Sequence, residues 1–490
     1  DQFANIEIAG KDVGDVPAGF ANNFQLGQLR IGPGAKVNLI DEINNNNRCG
    51  PGGSSSSEAF YVDQIVFEDA NGILNVNGLH LYYNSLSGNA AQIVDSGGKP
   101  ANGIASTWTC ANGNWETTAC WDQLGSGDTY PNNNFTEAYS VSLPSAAPYT
   151  VAVNNASPIT LCSLGVGSGT TLLLNGSSSF TPGTFLTNAG IVDLRNGSLN
   201  LETDLANTGT IRFDTDTGAE FIYVNASLAL SGTGTLLFPD TGSSSLTAYV
   251  FLNAANVVLT NGAGHTIEGG PGYIYRNSGA TSSLVNNGVI RANVPNRTLS
   301  FYGAGLSNSN MVVNNNLIAA ENGGTLQFAY LAPLVSSGSL TCAAGSTILF
   351  DSSSASFISS GSLTCAAGST IRFSSINGPG ANATFEGPVT CDGLMEFAAA
   401  SGAVTFNPPS SGNGTGEYRQ TGSGAAATFN TGNGVQFGTV DIQAGSLSVP
   451  FGGQVLVRDR FTHRLTNEAA HNFAGTLRVT GGTGAGPTQY

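Results

Sequence analysis

The thirteen residues SSGSLTCAAGSTI occur twice without change, beginning at Ser336 and again 23 residues later at Ser359. Reduced to its spacing, the phrase reads L-x-C-x-x-G-x-x-I-x-F over residues 340–350 and 363–373. Apolar residues two apart lie on one face of a β-strand, and Gly supplies the positive φ that a tight corner needs. Each copy therefore predicts a strand, a corner and a second strand.

The same pattern recurs when its third position is any small or branched apolar residue. It fits segments 29–39, 164–174 and 318–328, and degenerate copies lie around Val389 and Val440. A period of 20–25 residues built from short strands and corners is typical of a parallel β-solenoid, whose coils bury their inner faces against one another. We expect an all-β, right-handed parallel solenoid with about 14 coils over residues 159–479.

The competing all-β architecture is an array of immunoglobulin-like sandwiches. Such domains repeat about every 100 residues and lack a fixed Gly corner inside a much shorter period. The 23-residue repeat favours the solenoid.

A second motif marks the boundary between strands, in LTNAGIV at Leu186, LANTGTI at Leu205, LVNNGVI at Leu284 and VVNNNLI at Val312. Each places Asn two residues after an apolar residue. Asn tolerates the left-handed backbone conformation better than most residues, and stacked Asn side chains can hydrogen-bond between coils. We therefore predict a corner role for these Asn residues.

The repeat density divides the chain into three segments. Residues 1–98 are expected to form an N-terminal solenoid-like module, residues 99–149 a junction rich in Trp and Cys, and residues 150–490 the main solenoid.

The seven cysteines separate by position. Cys342, Cys365 and Cys391 occupy the inward slot of the repeat, and Cys162 shares the parity of its apolar neighbours, so these four are predicted to be buried thiols. A disulfide between stacked coils is the alternative for them. Cys49 is expected to be exposed and unpaired.

The segment TWTCANGNWETTACWD predicts a loop closed by a disulfide between Cys110 and Cys120 in an exported protein. It also holds Trp108, Trp115 and Trp121, all the tryptophans of the chain. These rings either seal the end of the solenoid or make an assembly or glycan contact; the sealing role is favoured.

Charge narrows the classes of partner. Only 10% of the residues are charged, the formal charge is −16, and no Lys/Arg cluster occurs, which argues against nucleic acid or an anionic membrane as partner. No apolar run reaches about 18 residues, so membrane insertion is not expected.

The chain begins at Asp1, which suggests a processed, exported product at the cell surface or outside the cell. Eight sequons are possible N-glycosylation sites: Asn134, Asn155, Asn175, Asn196, Asn225, Asn296, Asn382 and Asn413.

Residues suited to catalysis are sparse. The best carboxylate cluster is Asp214, Asp216 and Glu220, which matches a calcium loop only in its first half and is read as a polar turn. The histidines are scattered without ligand spacing: His80, His265, His463 and His471. We expect no catalytic residue, metal or cofactor.

Two long stretches resemble a known family. TWTCANGNWETTACWDQLGSGDTYPNNNF and the following YTVAVNNASPITLCSLGVGSGTTLLL are similar to the entry segment of bacterial secreted β-solenoid proteins, many of which carry a PEP-CTERM sorting signal or a dockerin. The segment LGQLRIGPGAKVNLIDE resembles another coil module of the same proteins. This chain departs from the pattern in the cysteines that flank Trp115 and in having no such signal up to Tyr490. The resemblance implies a surface or matrix location more than an activity.

Three functions follow as hypotheses. The first is a structural subunit of an extracellular filament, sheath or matrix, a homopolymer joined head to tail through solenoid ends. The alternative is a surface adhesin or glycan-binding protein with polysaccharide as partner. The second alternative is a polysaccharide-degrading β-helix enzyme, which would need clustered carboxylates on one face.

Overall fold

A computed structural model describes residues 3–13, 15, 17–43, 47, 58–95, 102–133, 137–145, 148–154, 157–175, 179–214, 218–238, 248–277, 281–303, 311–330, 332–351, 356–374, 382–398, 401–407, 412–432, 434–464 and 471–479. The fold is an all-β parallel solenoid of about 15 turns with 3% helix, which confirms the predicted fold class. In the described part of the chain, no helix is long and apolar enough to cross a bilayer. The chain divides into two compact units, one of Asp1–Val192 with Leu199–Leu205 and one of Asp193–Ser198 with Ala206–Tyr490.

The N-terminal coils contain the strands β1 (Ala4–Glu7), β2 (Leu26–Ile31), β3 (Lys36–Ile40), β4 (Ala59–Phe67), β5 (Ile73–Asn75), β6 (His80–Ser87) and β7 (Ile93–Val94). The next strands are β8 (Asn102–Thr107), β9 (Gly113–Asn114), β10 (Glu137–Leu143), β11 (Tyr149–Val153), β12 (Ile159–Val166), β13 (Thr170–Asn175), β14 (Ser179–Asn188), β15 (Ile191–Arg195), β16 (Ser198–Leu201), β17 (Leu205–Asn207) and β18 (Thr210–Phe213). Short 3₁₀ turns occur at Pro17–Phe20, Ala90–Gln92 and Thr118–Cys120.

The middle coils contain β19 (Glu220–Val224), β20 (Leu228–Ser231), β21 (Thr235–Leu237), β22 (Ala248–Leu252), β23 (Val258–Asn261), β24 (Thr266–Glu268), β25 (Gly272–Arg276), β26 (Ser283–Asn286), β27 (Val289–Ala292), β28 (Thr298–Gly303), β29 (Val312–Asn314), β30 (Leu317–Ala320), β31 (Thr325–Tyr330), β32 (Leu334–Ser336), β33 (Ser339–Cys342) and β34 (Thr347–Asp351). The remaining strands are β35 (Phe357–Ser359), β36 (Leu363–Cys365), β37 (Thr370–Phe373), β38 (Asn382–Phe385), β39 (Val389–Cys391), β40 (Leu394–Phe397), β41 (Ser401–Phe406), β42 (Gly412–Asn413), β43 (Glu417–Gln420), β44 (Gly424–Phe429), β45 (Val435–Ile442), β46 (Ser446–Val449), β47 (Gln454–His463), β48 (His471–Phe473) and β49 (Thr476–Val479).

In the first unit every ladder is parallel. The N-terminal coils form two of them, β1-β3-β5-β7 and β2-β4-β6. Further along, β8, β10, β12 and β14 pair in sequence, as do β9, β11 and β13.

Most coils of the second unit contribute one strand to each of three parallel ladders. The first ladder is β18-β21-β24-β27-β30-β33-β36-β39, the second is β19-β22-β25-β28-β31-β34-β37-β40-β43, and the third is β20-β23-β26-β29-β32-β35-β38-β41-β44-β46-β48. Up to β44 every third strand is a neighbour, as a three-sided coil requires. In the last coils every second strand is a neighbour, because the long strand β45 pairs with both β42 and β43.

The two copies of the repeated phrase lie directly on top of one another. Leu340 pairs with Leu363, and Ile348 pairs with Ile371, in strict register. Their inward side chains are buried, and the aromatic core continues the alignment, because the Phe328, Phe350 and Phe373 rings stack in a row with centroids 5.0 and 4.7 Å apart. The pattern thus places its apolar positions in the core, as predicted.

The corner glycine of the phrase has the predicted conformation. Gly345 has a φ of 75° and Gly368 a φ of 77°. A Cβ added at either residue would meet no atom within 4 Å, so backbone conformation rather than space requires Gly here.

A different glycine of the repeated phrase is required because there is no room for a side chain, and the sequence alone did not indicate this. A Cβ on Gly361 would lie 1.8 Å from the backbone oxygen of Gly338 in the preceding coil, and a Cβ on Gly387 would lie 2.2 Å from the oxygen of Gly361. At this corner the backbones of successive coils approach too closely for any side chain.

The predicted left-handed conformation of the motif asparagines is wrong. Asn188, Asn207, Asn286 and Asn314 end strands β14, β17, β26 and β29, and none of them has a positive φ. Each of these side chains points inward from its strand and is buried. The motif therefore requires the Asn side chain and not an unusual backbone conformation.

The two glycine roles predict different costs for the same substitution. Gly345→Ala should destabilise by about 1 kcal/mol, the strain of a left-handed Ala. Gly361→Ala should cost about 3 kcal/mol or more, because backbone must move. Urea unfolding followed by circular dichroism measures both; equal midpoints for the two variants would contradict the close-approach account.

Candidate functional site

The Trp-rich loop is closed as its sequence predicts. Cys110 and Cys120 form a disulfide with their Cα atoms 5.1 Å apart. The loop is reinforced by an isolated antiparallel bridge between Trp108 and Trp121 and by the Thr109 N–H, which donates to the Cys120 carbonyl at 2.9 Å.

All three indole rings of this loop are buried. Trp121 contacts both Trp108 and Trp115 edge to face, with centroids 5.0 and 4.7 Å away, and Trp115 also contacts Phe180. The indole N–H of Trp115 donates to the carbonyl of Pro131 at 3.1 Å. The rings fill a packed cluster and present no open face on which a sugar could stack.

The stacked cysteines are thiols, as expected. Cys342, Cys365 and Cys391 occupy one register position in successive coils, are buried and are not disulfide-bonded. Burial raises the pKa of Cys342 to about 11, so its thiol stays protonated at neutral pH.

The prediction for Cys162 is right about its burial and wrong about its thiol state. Cys162 is disulfide-bonded, and its partner lies outside the described residues. Cys49, which was expected to be exposed and unpaired, also lies outside the described residues. A β-bulge between Leu161 and Ser163 interrupts the alternation of β12, so parity with Leu164 does not place Cys162 in the main core. It packs instead against Ala138 in a small separate cluster.

The sequons differ in accessibility. Asn296, Asn382 and Asn413 are exposed, while Asn175, Asn196 and Asn225 are half-buried. Asn134 and Asn155 lie outside the described residues. Attachment at Asn175 would also disturb the hydrogen bond from its Nδ2 to Oδ1 of Asn154 at 2.9 Å.

Of the three carboxylates that the sequence singled out, Asp214 is paired with an arginine and Glu220 is buried. The side chain of Arg195 donates through Nε to Asp214 at 3.0 Å, and the Arg212 guanidinium donates to Asp193 at 2.6 Å. Glu220 is fully buried, and Asp216 lies outside the described residues. In the described part of the chain, no group of three His, Cys, Asp or Glu side chains could hold a metal.

Glu220 is an unusual acid. Burial raises its pKa to about 8, with the nearby negative charges of Asp214 and Asp193 adding to the effect. Its Oε1 accepts from the backbone N–H of Asn196 at 3.3 Å, and Oε2 has no hydrogen-bond partner among the described residues. The carboxyl is therefore protonated at pH 7, in a position that solvent does not reach.

Two histidines also lie in internal networks. His80 Nδ1 lies 2.5 Å from Oδ2 of the buried Asp12, whose other oxygen accepts from the Tyr82 hydroxyl at 3.0 Å. Burial lowers the pKa of His265 to about 4, so its imidazole is neutral. His463 lies in the last described coil, and the side chain of His471 is outside the described set.

His265 joins a buried ladder of asparagines. Its Nδ1–H donates to Oδ1 of Asn261 at 2.8 Å, and its Nε2 accepts from Asn207 at 3.0 Å. Nδ2 of Asn261 then donates to Asn286, and Nδ2 of Asn286 to Asn314, both at 2.8 Å. This confirms the expected hydrogen bonding between stacked asparagines and assigns these polar groups to stability rather than chemistry.

A set of aromatic side chains, half-buried except for Tyr330, lies on the outward side of the ladder that contains β19, β22, β25 and β28. We call it the aromatic face, formed by Phe221, Tyr223, Tyr249, Phe251, Tyr273, Tyr275, Tyr302 and Tyr330.

Two columns run along this face. In the first, the rings of Phe221, Tyr249 and Tyr273 stack with centroids 5.2 and 5.3 Å apart. In the second, Tyr275 stacks between Phe251 at 4.9 Å and Tyr302 at 5.1 Å.

Sequence reasoning missed this face. The signal was present in EFIYV, AYVFL, GYIYR and LSFYG, where aromatics alternate with buried residues in successive coils. The pattern becomes visible only when these four segments are aligned in the same ladder, and their order along the chain alone does not indicate that alignment.

Further along the same ladder the outward positions become charged. Phe221 is followed in register by Tyr249 and Tyr273, and later coils place Arg372 beside Glu396 at 3.2 Å. Opposite charges on successive coils attract, so the charged side chains in this part of the ladder pair with one another.

Comparison with known sequences does not assign the chain to a family. No protein-family model matches the chain, and no curated protein matches it. The geometry above is therefore the basis for the functional proposal.

The buried acid predicts a pH dependence of stability. Between about pH 4.5 and pH 8 the unfolded chain ionises Glu220 while the folded chain keeps it protonated, so the free energy of unfolding should fall as pH rises. Glu220→Gln should remove this component and be more stable than wild type by a margin that grows from pH 5 to pH 8. Urea unfolding at the two pH values measures it.

The matched control is Glu202→Gln, a change at an exposed glutamate. If the difference between wild type and Glu220→Gln is the same at pH 5 and pH 8, the burial account of Glu220 is contradicted.

Proposed function

We propose that this protein is a structural subunit of an extracellular filament, sheath or matrix, whose copies join through coil edges. The observation that carries the proposal is the state of the last described coil, where side chains at inward positions are exposed.

The register makes the exposure informative. Phe473 pairs with Val449, and Leu477 pairs with Val455. The two valines are fully buried, whereas 44% of Phe473 and 37% of Leu477 are exposed. Positions that belong to the core in one coil are thus open to solvent in the next.

This coil also forms an apolar recess. A cavity of about 590 Å³ is lined by Phe461, His463, Phe473, Leu477 and Val479 among others. Strands β48 and β49 are the last members of their ladders in the described residues, so the recess adjoins backbone edges able to extend a parallel sheet.

A second copy of this chain is the occupant that fits best. Adding a coil would bury the apolar row and continue the backbone ladder, as β-strand addition does in other assemblies. A contact between unlike ends of identical chains does not close, so it generates a filament rather than a ring.

Other features support an extracellular setting. The disulfide of Cys110 and Cys120 and the disulfide-bonded Cys162 are typical of oxidising compartments. The exposed sequons and the resemblance to secreted solenoid proteins point the same way. The proposal includes no catalytic role, because of the described candidate carboxylates Asp214 is ion-paired and Glu220 is buried.

The experiment is to place charge on the exposed edge. Wild type should form unbranched fibres visible by negative-stain electron microscopy, with a sedimentation coefficient that rises with concentration. Phe473→Lys combined with Leu477→Lys should abolish the fibres, because two ammonium groups would have to be buried at the joint.

The control is Phe185→Lys combined with Ile358→Lys, which alters two exposed apolar residues elsewhere and should leave assembly intact. Circular dichroism verifies that both double variants fold. A wild type that stays monomeric over a wide range of concentration and ionic strength would refute the proposal, as would fibres from the edge variant.

A further inference from the structure

The aromatic face is built so that its rings cover one another. Within the columns the planes of Phe221 and Tyr249 differ by 8°, and those of Phe251 and Tyr275 by 9°. Because rings stacked this way hide their faces, the face presents ring edges and phenolic hydroxyls to solvent.

The hydroxyl groups repeat with the coil. Tyr249 and Tyr273 contribute them in one column and Tyr275 in the other, where the Tyr302 hydroxyl is already hydrogen-bonded to that of Tyr330. Successive coils are ~4.8 Å apart, so hydroxyls on neighbouring coils are separated by about this distance along the coil axis.

The face is also neutral. In the described strands β19, β22, β25, β28 and β31, the outward positions carry aromatic, Ser, Thr, Gln or Ala side chains and no formal charge. Charge returns on the same ladder only at Asp351 and then Arg372. This stretch therefore carries no charged side chain with which a charged ligand could pair, in a protein whose formal charge is −16.

Tyr330 ends the second column differently. Its ring centroid is 4.3 Å from that of Tyr302, but the ring is tilted by 42° and 57% of the residue is exposed. Its φ is 55°, a conformation that bulky residues rarely adopt. Such strain is concentrated at functional positions, and here it places a largely exposed aromatic side chain at the end of the second column.

We propose that the aromatic face binds a neutral, linear polysaccharide laid along the coil axis. Sugar hydroxyls exchange hydrogen bonds with the tyrosine hydroxyls, and one sugar ring packs against the exposed part of Tyr330.

A second copy of the chain fits this surface less well. Apolar association between proteins depends on burying aromatic and aliphatic area, but the ring faces here are already occupied by their neighbours. A partner rich in hydroxyl groups at regular spacing satisfies the exposed groups better.

The test is affinity electrophoresis of the full chain in native gels containing hydroxyethylcellulose, a neutral β-glucan, with alginate gels as the anionic comparison. Wild type should be retarded by the glucan and not by alginate. Tyr330→Ala should weaken the apparent affinity by about 2- to 10-fold, the range for loss of one aromatic contact.

A second variant removes hydroxyls while keeping the rings: Tyr249→Phe, Tyr273→Phe and Tyr275→Phe together. This variant should retain the fold and lose most of the retardation. Phe451→Ala, a change at an exposed aromatic residue outside the face, is the matched control and should bind as wild type does.

Several outcomes would overturn the proposal. These are no retardation by the glucan, equal retardation by alginate, or unchanged binding by the triple Phe variant. Self-association that Tyr330→Ala abolishes would assign the face to a second copy instead. The Lys variant at Phe473 and Leu477 should still bind glucan, so failure of filament assembly does not affect this result.

Discussion

In-register parallel stacking is the constraint on which the rest of this structure depends. It places each residue of a coil directly over the equivalent residue of the next, ~4.8 Å away. Like side chains therefore meet like, as in the Cys342, Cys365 and Cys391 row and in the hydrogen-bonded row of Asn286 and Asn314. The sequence repeats because every coil must offer the next one the same edge.

The same constraint accounts for the unusual composition. A charge repeated at one position would face itself in every coil, and like charges directly opposite each other destabilise a sheet. Neutral amides and hydroxyls can instead donate to one neighbour and accept from the other. Where charges do occur in a ladder, they alternate, as in the ion pair of Arg372 with Glu396. The low charge of the chain is thus a property of its architecture.

Much of the fold was predictable because its signals are local. One copy of the repeat is enough to recognise the apolar residues two apart and the corner at Gly345. The short separation of Cys110 and Cys120 in the sequence likewise indicates that these two cysteines pair with each other. Features that depend on a neighbouring coil were missed. The space restriction at Gly361 comes from the backbone of Gly338, and the aromatic face exists only after distant segments stack. The error at Cys162 arose from a bulge that a parity argument cannot detect.

The most direct test of stacking as the organising principle is to compare two deletions of different length. Removing residues 337–359 takes out one whole coil and joins Ser336 to Ser360, whereas removing residues 339–346 takes out only one strand and its corner. Far-ultraviolet circular dichroism during thermal unfolding should show that the longer deletion keeps a β spectrum and a cooperative transition, while the shorter one loses both. Equal or better tolerance of the shorter deletion would contradict the account.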